Sequence, residues 1–174
     1  MALYLIELTP ATASKDEATA LIETVSNSLS EGAELIETQV SADHKLIFAI
    51  IESENTAFAP ALTAAIGERA SVVGPDEVRL VGAELDDIKK LKKDADYLVE
   101  WDIPAEITME QYLTRKKAKA PKYAEVPEVS FLRTYVREDT AKCLCFYDAP
   151  DEDAVLRARK AVSTPIDRLF KLHA

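Results

Sequence analysis

What most constrains this chain is that it runs through one plan twice. Leu35-Ile36-Glu37-Thr38-Gln39-Val40-Ser41-Ala42-Asp43 falls without a gap on Phe131-Leu132-Arg133-Thr134-Tyr135-Val136-Arg137-Glu138-Asp139 at an offset of 96 residues. The same offset carries Ile47-Phe48-Ala49-Ile50-Ile51-Glu52 onto Cys143-Leu144-Cys145-Phe146-Tyr147-Asp148, and a slightly smaller one carries Tyr4-Leu5-Ile6-Glu7 onto Tyr97-Leu98-Val99-Glu100. A period of roughly 90 residues is too long for a solenoid unit and is the size of one small domain. The sequence therefore predicts two tandem domains, 1–82 and 96–174, with a linker over 83–95.

Each half reads strand, helix, strand, strand, helix, strand. In the first, Leu3 to Leu8 is a strand. Ser14 and Glu17 stand at capping-box spacing ahead of Ala18, Leu21, Ile22, Val25 and Leu29, which recur at helical period, and Gly32 ends that helix. A tight turn at Asp43-His44 joins two strands. Asn55 or Thr56 caps a second helix through Ile66, with Pro60 in its first turn, and Val78 to Val81 closes the unit. The linker, acidic at Glu84 to Asp87 and basic at Lys89 to Lys93, suits a short helix. The second half repeats the plan, with Thr108 and Gln111 at capping-box spacing, a hairpin over 129–147, acids at 151–153 opening the last helix, and a final strand over 166–172. This is α+β: two tandem ferredoxin-like (βαββαβ) domains. Their antiparallel sheets are expected to pack face to face, as in dimeric α+β barrels, because an open sheet face rich in leucine and phenylalanine is seldom left wet.

At 174 residues and 48% hydrophobic, the chain can bury one sizeable core or two small ones. Its net charge of −10 argues against nucleic acid, where affinity comes from cations meeting phosphates. No apolar run approaches the roughly 18–20 residues that cross a bilayer, and Met1-Ala2-Leu3-Tyr4 leads directly into a strand, so neither a membrane nor a leader is expected and the cytoplasm is inferred. The charge is uneven: residues 1–93 carry −8 and residues 94–174 carry −2. Part of that difference is the run Arg115-Lys116-Lys117-Ala118-Lys119-Ala120-Pro121-Lys122, read as a solvated helix face and its frayed end, with contact to an anion or acidic partner as the alternative.

Strand alternation sorts the side chains into two faces. Thr134 and Val136, with Cys143 and Cys145, fall under the helices. The cysteines therefore read as buried, inert thiols; a zinc knuckle would want four ligands at its own spacing. Glu7, Glu37, Glu100, Arg133 and Tyr135 share the opposite face with Leu98, Phe131, Leu144 and Phe146. Arg133 is expected to pair there with a carboxylate, Glu100 first and otherwise Glu7 or Glu37 from the other half, and an anionic ligand on Arg133 and Tyr135 is the competing reading. His44, at a hairpin tip, and His173, at the terminus, are expected to be exposed bystanders. No Ser-His-Asp order, Gly-rich phosphate loop or His-Glu-x-x-His helix is present.

Tyr97-Leu98-Val99-Glu100, Phe131-Leu132-Arg133-Thr134-Tyr135-Val136, Cys143-Leu144-Cys145-Phe146-Tyr147-Asp148-Ala149-Pro150-Asp151-Glu152 and Pro165-Ile166-Asp167-Arg168 resemble, in order and spacing, the small ferredoxin-like family catalogued as domain of unknown function 4242, which includes a nickel-binding protein. The resemblance covers roughly residues 96–173, and the first half shares it as a divergent repeat. It implies descent from a nickel-binding family. In that family the third position of the middle motif is commonly histidine, where this chain has Arg133, and a second histidine lies in the last helix, where Ala158 aligns. A guanidinium has no lone pair to give a metal, so the metal site is expected to be lost and no cofactor is assigned. The expectation is a non-catalytic binding or interaction protein, with a protein partner or small anionic ligand and a homodimer as an open option. The alternatives are a cofactor-light oxygenase or isomerase using Glu7, Glu100, Arg133 and Tyr135, or a metal-binding protein with an altered site.

Overall fold

A computed structural model describes residues 1–91 and 93–172. His173 and, within the linker, Lys92 lie outside the described residues. The chain divides into two units: Met1–Val78 with Leu85–Asp94, and Arg79–Glu84 with Ala95–Leu172.

The first unit holds β1 (Ala2–Pro10), α1 (Lys15–Ser28), β2 (Ala33–Val40), β3 (Ile47–Ser53), α2 (Ala59–Ile66), most of β4 (Ala70–Val81) and α3 (Leu85–Lys89). Its strands are ordered β2-β3-β1-β4, all neighbours antiparallel. The Ser14 hydroxyl caps α1 by accepting from the Glu17 N–H at 3.1 Å, and Ala18, Leu21 and Val25 turn inward against Tyr4, Ile6 and Leu8. The helix stops at Ser28, short of Gly32; that glycine, at φ +93°, instead turns the chain into β2. β4 begins at Ala70, well before the predicted Val78. Gly74-Pro75 stands opposite a register shift between Leu5 and Glu7, the kind of irregularity where a strand tolerates proline. A Cβ on Gly74 would come within 2.5 Å of the Leu5 carbonyl oxygen. The linker helix α3 is short, buries Ile88, and sets Lys89 near Glu52 at 3.1 Å and Glu34 at 3.4 Å.

The second unit holds the end of β4, then β5 (Tyr97–Asp102), α4 (Met109–Lys119), a 3-10 segment (Ala120–Glu125), β6 (Ser130–Arg137), β7 (Lys142–Asp148), α5 (Glu152–Ala161) and β8 (Arg168–Lys171). Its order, β6-β7-β5-β8, is the same permutation of strand, hairpin and closing strand as in the first unit. Thr108 and Gln111 form a complete capping box on α4, and the Asp151 carboxylate accepts from the Ala154 N–H at 2.8 Å to open α5.

The two hairpins agree in detail. Register shifts fall between Leu35 and Glu37 in β2 and between Phe131 and Arg133 in β6. His44 (φ 61°) and Thr140 (φ 58°) occupy the left-handed region in the two turns. Asp43 Oδ1 accepts from the Lys45 N–H and Asp139 Oδ1 from the Ala141 N–H, each at 3.0 Å. All of these pairs lie 96 residues apart. Among the described residues no helix is long and apolar enough to cross a membrane.

Candidate functional site

Alternation and register assign the second sheet's residues to two faces. Leu98 and Arg133 both stand opposite Phe146, and Glu100 and Tyr135 both stand opposite Leu144. These residues form the face away from the helices, as parity predicts. Leu98, Tyr135, Leu144 and Phe146 are fully buried, yet none belongs to the helix-side core.

Glu100 is the charged centre of this face, at 3% exposure. Its two oxygens are both taken: Lys142 Nζ lies 2.7 Å from Oε2, and Arg168 Nε donates to Oε1 at 2.9 Å. Arg168 also grips Asp102 with its terminal nitrogens, and that hydrogen bonding holds the Asp102 carboxyl below the usual carboxylate range against a small opposing effect of burial. The expected partner of Glu100 was Arg133, but Lys142 and Arg168 stand in that role. They come from adjacent strands on either side of β5, and both reach the mid-strand carboxylate. The Arg133 guanidinium carbon lies 5.0 Å from the Phe146 ring centroid, a cation–π arrangement, and Tyr135 meets the same ring edge-on at 6.0 Å. In the first unit, Glu7 faces Phe48 in the β1–β3 register, and Glu37 accepts from the Gln39 amide at 3.1 Å.

The positions aligned with the family histidines do not meet. Arg133 belongs to the face just described, whereas Ala158 is fully buried in the helix-side core with Val99, Cys143 and Cys145. The two lie on opposite sides of one sheet, so imidazoles at both could not share an ion within this unit. Among the described residues, no group of three or more histidines, cysteines or acids is placed to hold a metal ion.

Sequence reasoning missed a second feature, on the helix side. A cavity of about 40 Å³ is lined by Trp101, Tyr112, Tyr123, Phe131, both cysteines and the cations Arg115, Lys116, Lys119 and Arg159. Three of the five bases in the run read as a solvated face are therefore turned partly inward: Arg115, Lys116 and Lys119 are half-buried, and Lys117 and Lys122 are exposed. Lys116 Nζ sits 4.4 Å from the Phe131 ring centroid, and the Arg115 guanidinium carbon 5.7 Å from that of Trp101. The available signal was the two-residue spacing of Cys143 and Cys145 under a helix rich in bases.

The architecture is α+β, with the ferredoxin-like strand order in each unit, and solved structures share this fold. More particularly, residues 97–172 match the family model described as nickel responsive protein SCO4226-like. Among solved structures, a chlorite dismutase-like protein matches at 16% identity and TM-score 0.58, covering 100% of this chain and 96% of its own. A monooxygenase-like protein from Fusobacterium nucleatum matches at 13% identity and TM-score 0.54, covering 98% and 90%. SCO4226 from Streptomyces coelicolor A3(2) matches at 16% identity and TM-score 0.40, covering 46% of this chain and 98% of its own. Comparison with curated proteins yields no match.

Proposed function

We propose that this chain is a non-catalytic binding or interaction protein whose second unit shares ancestry with nickel-responsive proteins and has not kept a nickel centre. The observation that carries this reading is the engagement of Glu100. Both Glu100 oxygens already face cations, and those positive groups compete with and repel a metal ion at the same carboxylate. Arg133, on the same face, adds a third positive group that repels a divalent ion and donates nothing to it. Glu100 and Arg133 are each only 3% exposed, so this face is not itself a docking surface, and a protein partner or small anionic ligand would be met elsewhere on the chain. Fold likeness to the chlorite dismutase-like and monooxygenase-like proteins keeps an oxygenase or isomerase as the second reading, and its support is architectural alone.

Nickel titration of protein made without a histidine tag tests this directly. No site tighter than about 1 μM, or about −8 kcal/mol, is expected. A stoichiometric nanomolar site would overturn the reading. A native mass spectrum of the same sample reports any co-purified ligand and the oligomeric state.

A further inference from the structure

The helix side of the second sheet gathers chemistry that the opposite face does not use. The Cys145 sulfur accepts from Thr134 Oγ1 at 3.2 Å, lies 3.9 Å from Cys143 Sγ, and has Lys116 Nζ at 4.0 Å. Arg159, only 3% exposed, donates to the Tyr147 hydroxyl at 3.1 Å and to the Pro165 carbonyl at 2.6 Å; neither is an anion, and its Nε has no partner. A guanidinium buried this deeply is costly without a negative group nearby. Tyr112 Oη and Arg115 Nε are likewise buried without partners. These three residues, both cysteines, Lys116 and Lys119 all line the same cavity of about 40 Å³, to which no aspartate or glutamate contributes. In a chain of net charge −10, this is a positively charged enclave with unused hydrogen-bond donors and a sulfur at its wall.

We propose that this cavity captures small electrophiles bearing a carboxylate, with Cys145 as the thiolate nucleophile and Arg159, Lys116 and Tyr112 as the groups that hold the carboxylate. Four cations exceed the single thiolate in charge, so the site can hold both its own anion and the ligand's. The groups facing Cys145 agree with this: Lys116 and Tyr112 from α4, Tyr123 from the 3-10 segment, Thr134 from β6, Cys143 and Tyr147 from β7, and Arg159 from α5. Donation from the Cys143 S–H holds the Cys145 thiol well below its ordinary range; burial opposes this, and Lys116, Arg159 and Thr134 reinforce it. Cys143 is correspondingly pushed up. Burial raises Tyr112, Tyr123 and Tyr147, which therefore stay protonated as donors. In a displacement, the Cys145 thiolate forms a C–S bond while the leaving group departs with the bonding pair. With a conjugate acceptor, the π pair moves to the α carbon, which takes a proton from water. The cavity volume restricts either reagent to a few heavy atoms.

Iodoacetate and iodoacetamide have nearly the same size and differ in charge, so labelling the intact protein with each separates the parts of the proposal. The expected result is carboxymethylation of Cys145, mapped by mass spectrometry, with iodoacetate the faster reagent by about tenfold, the factor supplied by about 1.4 kcal/mol of charge-assisted contact. The rate should rise less steeply with pH than that of an ordinary thiol. Cys145→Ser should abolish labelling, and Lys116→Gln should remove most of the preference for iodoacetate. Lys119→Gln, at the other half-buried lysine lining the cavity, provides the same comparison should Lys116→Gln fail to fold. Iodoacetamide reacting as fast as iodoacetate, a rate that climbs with pH as for an ordinary thiol near 8.5, or labelling only in denaturant would each overturn the proposal. The site lies on the opposite side of the sheet from Glu100, so the result is independent of the nickel titration.

Discussion

Arg168 divides its guanidinium between a buried carboxylate, Glu100, and an exposed one, Asp102. The two contacts should behave differently. Asp102 is about half exposed, so its pairing contributes at most about 1 kcal/mol. Its folded-state carboxyl is depressed relative to the unfolded chain, so that contribution is complete above the unfolded value of about 3.9 and is lost as pH falls through the depressed one. Asp102→Asn is therefore expected to lower the urea midpoint modestly near neutral pH. The gap to the unmodified protein should narrow as pH drops below about 4. A gap that widened on acidification would mean that Arg168 does not hold Asp102 in solution.

Side-chain caps mark the starts of α1, α4 and α5, whereas α2 opens after Phe58 with no side-chain cap, past the expected Asn55 or Thr56. The Thr108 side chain accepts from the Gln111 N–H at 3.2 Å, and Gln111 Oε1 returns the contact to the Thr108 N–H at 2.9 Å. Thr108→Ala should cost about 1 kcal/mol, the usual loss of an N-cap, read as a lower thermal or urea midpoint with the slope unchanged. Such caps were legible because they depend on residues three apart. The two faces of the sheets were legible for a similar reason, since alternation needs no tertiary information. The extent of β4 was not: Gly74-Pro75 is strong punctuation in sequence, and only the register shift opposite it in β1 lets the strand continue. The partners of Glu100 were also hidden. Lys142 and Arg168 stand 42 and 68 residues further along, and which cation reaches a mid-strand acid depends on which strands flank it.

At the scale of the whole chain, the repeat was the clearest signal because it records hairpins, and hairpins carry their register in their turns. Matching bulges and left-handed turn residues 96 positions apart support the reading of the halves as copies. The cavity beside Cys145 was illegible for the opposite reason, since it needs α4, α5 and β7 to converge and has no counterpart in the sequence match.

The path of the chain across its two units has a further consequence. The strip Arg79–Glu84 belongs to the second unit, and Leu85–Asp94 returns to the first. Within that strip, Arg79 pairs with Glu138 at 2.7 Å, and a Cβ on Gly82 would come within 2.8 Å of Phe131. A fragment of residues 79–174 should therefore unfold at a higher urea concentration than one of residues 95–174, and equal midpoints would mean that the strip adds nothing. A gene made by joining two copies end to end can at first be parted again by one break. Here no single break between residues 78 and 95 leaves both units whole, since every such cut strands part of Arg79–Glu84, part of Leu85–Asp94, or both, on the wrong side.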